Sequence, residues 1–247
     1  EVNVARKSIT ISDEGDVLDE IWKDRPALSD AKAFLLDVKY SGEEFTSKIA
    51  RVRNIMKDVG ATTHILTSLD DIAWLFNIRG GDVKYNPVVL SYAVITLDKV
   101  ILFVDENKLN DEIKASFGEE VVEIKEYFQI DEFVKTINKE EVVLVDNTKI
   151  NYTISKNIPE GVKILNSMNP STVFKAQKNP VEIANTKQAH IRDGVAVTKF
   201  MYWLKNNIGK IEITEISAAE KMTELRREQG GFIEESFDSI AGYGDNG

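Results

Sequence analysis

The feature that most restricts the fold is a pair of apolar runs, residues 92–97 and 100–104, separated only by Asp98-Lys99. Two residues is the length of a tight hairpin turn, so the runs read as adjacent antiparallel strands. On either side the chain alternates between helix-like and strand-like segments. Phe45, Ile49, Val52, Met56 and Val59 recur at steps of three or four, with Lys48, Arg51, Arg53 and Lys57 between them. That spacing predicts an amphipathic helix stopped by Gly60. Strands are predicted over 62–67, 121–124, 141–145 and 162–165. Helices are predicted over 72–77, 107–117, 131–137 and 151–157, the first capped by Asp70 or Asp71. Such alternation indicates a layered α/β domain, and the hairpin makes its sheet mixed rather than wholly parallel.

The flanks read differently. Residues 16–22 form a short helix that Pro26 prevents from continuing, and 27–41 lack periodicity and are expected to be an irregular connection. Residues 173–178 form a short helix between Pro170 and Pro180. A long helix over 181–206 follows, with Ile183, Thr186, Ala189 or His190, Gly194, Val197, Phe200 and Leu204 on its inner face. That face is expected to be covered by the middle domain, a neighbouring chain or further polypeptide. Thr214-Glu215-Ile216-Ser217 opens another helix as a capping box, and 232–240 returns to strand-like sequence.

Composition excludes some function classes. There are 31 Lys and Arg against 41 Asp and Glu, a formal net charge of −10, which argues against a protein that tracks nucleic-acid phosphates. With no cysteine there is no disulfide, thiolate metal site or cysteine nucleophile. No apolar run reaches the ~18–20 residues that span a bilayer, so no membrane partner is expected. The chain opens without Met or the apolar core of a signal peptide and ends in turn-like sequence, and is expected to be an internal piece of a longer, cytoplasmic protein.

No motif carries chemistry by itself. His64 and His190 belong to no metal-ligand spacing and are expected to be structural. Asp71 and Asp82 are eleven apart, as are Asp19 and Asp30, but 41 acidic residues make such coincidences common, and neither pair is assigned a metal. Gly80-Gly81 and Gly230-Gly231 lack the signature of a phosphate loop and read as turns. Ser171, Ser236 and Ser239 have no nucleophile-elbow setting, and Asn151-Tyr152-Thr153 is a chance sequon. Catalytic, metal and substrate-binding residues are therefore none. The one candidate contact is the loop holding Arg79, Gly80, Gly81, Asp82 and Asn86, which lines a domain or subunit boundary or simply satisfies its own polar groups.

Several stretches together resemble the three-domain Xaa-Pro aminopeptidases (aminopeptidase P) of the creatinase or pita-bread metallopeptidase group. They are Asp19-Glu20-Ile21-Trp22-Lys23-Asp24-Arg25-Pro26, Ser68-Leu69-Asp70-Asp71-Ile72-Ala73-Trp74-Leu75-Phe76-Asn77-Ile78-Arg79-Gly80-Gly81-Asp82-Val83 and Tyr85-Asn86-Pro87-Val88. Asn169-Pro170-Ser171, Lys175-Ala176-Gln177-Lys178-Asn179, Ala189-His190-Ile191-Arg192-Asp193-Gly194-Val195-Ala196, Phe237-Asp238-Ser239-Ile240 and Gly244-Asp245-Asn246-Gly247 follow. The resemblance implies that residues 1–41 are the tail of a first creatinase-N-like domain and a linker. Residues 42–168 would be the middle creatinase-N-like α/β domain, and 169–247 the incomplete start of an α+β pita-bread catalytic domain. It also implies a homodimeric parent that removes an N-terminal residue preceding proline, using two divalent ions, usually manganese. The family's two Asp, one His and two Glu ligands lie beyond Gly247, as does a substrate-contacting His-Tyr pair. This portion alone is then expected to hold no metal and to be inactive. The alternative is a pita-bread relative that has lost catalysis and binds peptides or proteins.

Overall fold

The computed structural model describes residues 17–118, 120 and 122–247, without the side chains of Val17 and Asp19. The predicted helix at 16–22 appears as α1 (Val17–Ile21); Asp16 and Val121, the starts of two predicted elements, lie outside the described residues. The central sheet holds β2 (Thr63–Leu66), β4 (Tyr92–Thr96), β5 (Val100–Phe103), β6 (Val122–Lys125), β7 (Val142–Val145) and β8 (Lys163–Asn166). Their spatial order is β6-β5-β4-β2-β7-β8. β4 runs antiparallel to both its neighbours, whereas the β5–β6, β2–β7 and β7–β8 pairs are parallel, so the sheet is mixed because of that one reversed strand.

Alternation along each strand supplies two cores. Leu66, Ala93, Ile95, Val100, Leu102 and Leu144 face α3 (Phe45–Val59), α4 (Leu69–Leu75) and α5 (Asp111–Ala115). Ile65, Val94, Ile101, Phe103, Val143 and Val145 face α6 (Ile130–Val134) and α7 (Tyr152–Asn157). Both faces are covered, which is why these strands carry apolar residues at successive positions. In α3 the predicted stripe is buried at Phe45, Ile49, Val52 and Met56, its last member Val59 is exposed beside the helix end, and Gly60 caps the helix in the left-handed conformation.

Four expectations are corrected. Residues 27–41 are not wholly irregular: β1 (Phe34–Leu35) pairs antiparallel with β3 (Ile78–Arg79), and α2 (Val38–Ser41) follows. Elements this short leave no periodic trace. The helix predicted over 107–117 is divided, with a 3-10 turn over Glu106–Lys108 and α5 restarting after an extended Leu109 with Asn110 as its cap. Asp71 does not cap α4, since Ser68 holds the N-cap position and Asp71 is buried inside the first turn. Residues 232–240 are irregular chain rather than a strand.

The C-terminal part is helical: α8 (Pro170–Ala176), α9 (Pro180–Asn207) and α10 (Glu215–Arg227). The capping box at Thr214 and Ser217 forms as predicted. The inner face predicted for α9 forms only in part within the described residues. Ile183 and Val197 are 43% and 36% exposed; of the predicted face Phe200 packs inward, together with Ala196, against Met222 and Leu225 of α10. Its attachment to the α/β domain is polar. Asn179 caps α9 by accepting from the Val181 and Glu182 amides, while its own Nδ2 donates to the Ser41 carbonyl at 2.8 Å. Asn185 donates to the Lys39 carbonyl, also at 2.8 Å. Gly42 makes this docking possible: its φ is +70°, and a Cβ there would lie 2.3 Å from Asn179 Oδ1.

A lysine is buried in the first core. Lys48 Nζ donates to the Trp74 carbonyl at 2.8 Å and to Asn77 Oδ1 at 2.6 Å, and sits 4.3 Å from the centre of the Trp74 ring. Burial pushes its pKa down to about 8, with Glu43 pulling it partly back.

Two predictions follow from these joints. Gly42→Ala should lower stability by about 2 kcal/mol or more, whereas Gly60→Ala, with the same sign of φ but open space around it, should cost about 1 kcal/mol. Urea unfolding of both variants checks the difference, and equal losses would remove the role assigned to the Asn179 contact. For Lys48, the unfolded chain (ordinary value 10.5) holds the proton that the folded one (about 8) releases, so stability gains from this site as pH rises between those values. Lys48→Met should lack that gain of at most about 1.4 kcal/mol per pH unit, seen as a widening gap in favour of the wild type.

Candidate functional site

The candidate loop starts where Asn77 (φ +54°) takes a left-handed turn out of α4. Asn77 Nδ2 donates to the Glu43 carbonyl at 2.9 Å, and its own carbonyl accepts from the Leu36 amide at 2.7 Å. Arg79, read as loop, ends β3, and its Nη1 donates to the Ala73 and Ile78 carbonyls at 2.6 and 2.9 Å. Gly80 lies against the returning chain, where a Cβ would come within 2.8 Å of Val89 Cγ2. Asp82 Oδ2 accepts from Lys108 Nζ at 2.6 Å and from the Leu90 amide at 2.7 Å, with both charged side chains almost fully buried. Gly81 and Asn86 are exposed, and Asn86 closes a small turn by bridging to Val83. Arg79 and Asp82 therefore direct their charges into the domain.

The outward reach comes from residues the sequence reading did not single out. Tyr85 (φ +68°) donates its amide to Glu234 Oε2 at 3.2 Å and its hydroxyl to Asp238, and Lys84 lies 3.7 Å from the same carboxylate. Tyr85 and Asp238 line a groove of about 490 Å³ together with Ile216, Ala219 and Thr223 of α10. The sequence offers the opposite charges of Lys84 and Asp238 as a trace of this contact, and 41 carboxylates hide it.

A second polar centre joins α4 to α8. Asp71 Oδ2 accepts from Ser68 Oγ at 2.5 Å and from Thr172 Oγ1 at 3.0 Å, 101 residues further along the chain. Asn169 Nδ2 reaches the same oxygen at 3.4 Å. Lys175 pairs with Asp70 and lies 3.2 Å from Asp71 Oδ1. Nearby, His64 is buried in β2, while His190 is exposed on α9. Asn151 caps α7 through the Ile154 amide, and Gly230 and Gly231 both take positive φ at the end of α10.

Among the described residues, no three His, Asp or Glu side chains come together as a metal ion requires. Asp71 and Asp82 serve separate networks, and the Asp19 side chain is outside the described residues. Two divalent ions do not fit any side-chain set described, so no hydrolytic step is assigned to these residues. No described helix is long and apolar enough to cross a membrane. What the geometry provides is a rigid base with charged joints. Asp82→Ala should strand the buried Lys108 ammonium and cost about 3–5 kcal/mol in chemical denaturation, while Asp82→Leu combined with Lys108→Met should recover most of that loss. A loss under about 1 kcal/mol from the single change would show that the pair is not the anchor of the loop.

The creatinase/prolidase N-terminal domain family matches residues 24–182. The chain is 32% identical over 244 residues to a probable Xaa-Pro aminopeptidase P of Leptosphaeria maculans, covering 94% of this chain and 40% of the relative. It is 35% identical over 246 residues to a probable Xaa-Pro aminopeptidase P of Neurospora crassa, covering 94% of this chain and 36% of that one. Its structure superposes with a TM-score of 0.90 and 29% identity on X-prolyl aminopeptidase from Caenorhabditis elegans, a cytosolic enzyme with a di-nuclear active site. That superposition covers 97% of this chain and 40% of the worm enzyme, so the chain spans well under half the length of these three proteins. With its mixed sheet covered on both faces and a family match over more than half its length, the chain belongs to the creatinase/prolidase N-terminal domain family.

Proposed function

We propose that this chain is the non-catalytic portion of a metal-dependent aminopeptidase that releases the N-terminal residue from peptides with proline in second position. The observation that carries the reading is continuous similarity, over 94% to 97% of the chain, to proteins named as Xaa-Pro aminopeptidases. Proline makes the scissile bond a tertiary amide, and a metal pair would supply an activated water and a polarised carbonyl. This reading places the pair in further polypeptide, because the described side chains do not fit one. Manganese as the metal, a homodimeric parent and a cytoplasmic location belong to the same reading.

The proposed layout assigns residues 1–41 to the tail of a first domain, 42–168 to the middle domain and 169–247 to the opening of a pita-bread catalytic domain. In it, the described residues act as scaffold. The Asp71 and Asn179 joints would orient α8 and α9, and Lys84 and Tyr85 would hold the segment around Asp238.

Assaying the full-length protein and residues 1–247 on an Xaa-Pro peptide with added manganese tests both halves. Hydrolysis by the full-length protein and none by residues 1–247 is expected. Turnover by the short chain would overturn the scaffold assignment. Peptide binding without turnover by the full-length protein would replace the peptidase with a binding relative.

A further inference from the structure

Strands β2, β5, β6, β7 and β8 all run in one direction, and β4 alone runs back. Their carboxyl ends therefore share one end of the sheet, where Tyr92, the first residue of β4, pairs with Phe103, the last of β5. The chain leaving β6 enters a 3-10 turn over Tyr127–Gln129 and then α6, and the chain leaving β7 leads to Asn151 and α7. At this end of the sheet lies a pocket of about 320 Å³ whose lining includes Leu28, Tyr92, Tyr127, Phe128, Asp131 and Asn151. In open α/β sheets the crevice beyond the carboxyl ends of the strands is where ligands are held.

The walls of this pocket are aromatic and its charge is negative. The Tyr92 and Tyr127 rings stack at 5.0 Å with their planes 23° apart, and Phe128 meets Tyr127 edge-on at 5.1 Å and 78°. Phe128 is 71% exposed and Leu28 53%, so the rim is apolar and open to solvent. Asp131 follows Phe128 by three residues as the turn runs into α6, which puts both side chains on one face. Among the described residues Asp131 has no hydrogen bond or ion pair, and no lysine or arginine lines the pocket. Burial, the bond to Tyr92 and the charges of Asp131 and Asp82 hold the Tyr127 hydroxyl above its ordinary pKa. It stays a neutral donor and gives its proton to the Tyr92 oxygen at 3.2 Å. Asn151 Nδ2 donates to the same oxygen at 3.5 Å, so the Tyr92 proton is left for another acceptor.

We propose that this pocket binds the arginine side chain of an extended peptide, with the guanidinium lying on the Phe128 ring and pairing with Asp131 while the Tyr92 hydroxyl donates to a backbone carbonyl of the same peptide. A planar guanidinium stacks on an aromatic face and offers forked donors to a carboxylate, which a compact ammonium does not do together. An anion would meet Asp131 with no cation to offset it, and a wholly apolar ligand would cover that carboxylate without pairing it. The site recognises and does no chemistry, so the inference does not rest on the peptidase reading.

Titrating the 247-residue chain, carbon-13 labelled in its aromatic rings, with the peptide acetyl-Ala-Arg-Ala-amide tests this. The Phe128 and Tyr92 ring signals should shift saturably. The same peptide with citrulline in place of arginine, equal in shape but uncharged, should bind about tenfold more weakly or worse. Asp131→Asn should weaken the arginine peptide by a similar factor and leave the citrulline peptide unchanged, whereas Tyr92→Phe should weaken both alike. Urea unfolding of each variant shows that the fold is kept. Equal affinity for the two peptides, an arginine affinity untouched by Asp131→Asn in the folded chain, or no saturable shift up to about 10 mM peptide would overturn the proposal.

Discussion

Much of the architecture depends on the hydrogen bonds of one buried lysine. Lys48 occupies the apolar face of α3, where its ammonium meets the Trp74 carbonyl at the end of α4 and the side chain of Asn77. The last carbonyls of a helix need donors, and a cation there also opposes the helix dipole. With Asn77 anchored, the chain can take a left-handed turn directly into β3, which pairs with β1. The loop that carries Asp82 and Tyr85 starts from that turn. The position of the contact with Asp238 therefore traces back to a lysine in the core, through a helix end and a strained turn.

The link between the sheet domain and the helices after it combines the packing of Phe174 on the first core with a set of polar contacts. Asp71 gathers Ser68, Thr172 and Asn169, and Asn179 bonds Ser41 beside a glycine whose missing side chain leaves it room. Hydrogen bonds are directional, so this mode of attachment fixes the angle at which α8 and α9 leave the domain, which apolar contact would do less sharply. Between α9 and α10 the apolar packing rests on Ala196, Phe200, Met222 and Leu225, Phe174 of α8 packs on the first core, and Ile191 and Tyr202 face outward. Such a layer suits a scaffold that presents helices to further polypeptide.

What the sequence made legible follows from the range of its signals. Helix α3 and the β4–β5 hairpin were readable because their periodicity and turn length are local properties. The mixed sheet followed from that hairpin alone. The β1–β3 pair escaped because two-residue strands have no period. Asp71 was misread as a cap because a carboxylate near a helix start has a local explanation, and its real partner Thr172 is 101 residues away. The α9 face was misjudged because its apolar residues, Ile183 and Val197 among them, nearly encircle the helix and no single stripe dominates. In the candidate loop, Gly80 and Asp82 pack against the domain itself, and the outward contact passes through Tyr85, whose reach depends on a backbone angle that residue type does not reveal.

On this account the described residues position a catalytic centre without contributing ligands to it. Manganese titration followed by calorimetry tests that most directly. The full-length protein should take up two ions per chain, in line with the di-nuclear site of the worm enzyme, and residues 1–247 none over the same concentrations. Stoichiometric, saturable manganese binding by residues 1–247 would contradict it and would return the carboxylates of this chain to the active site.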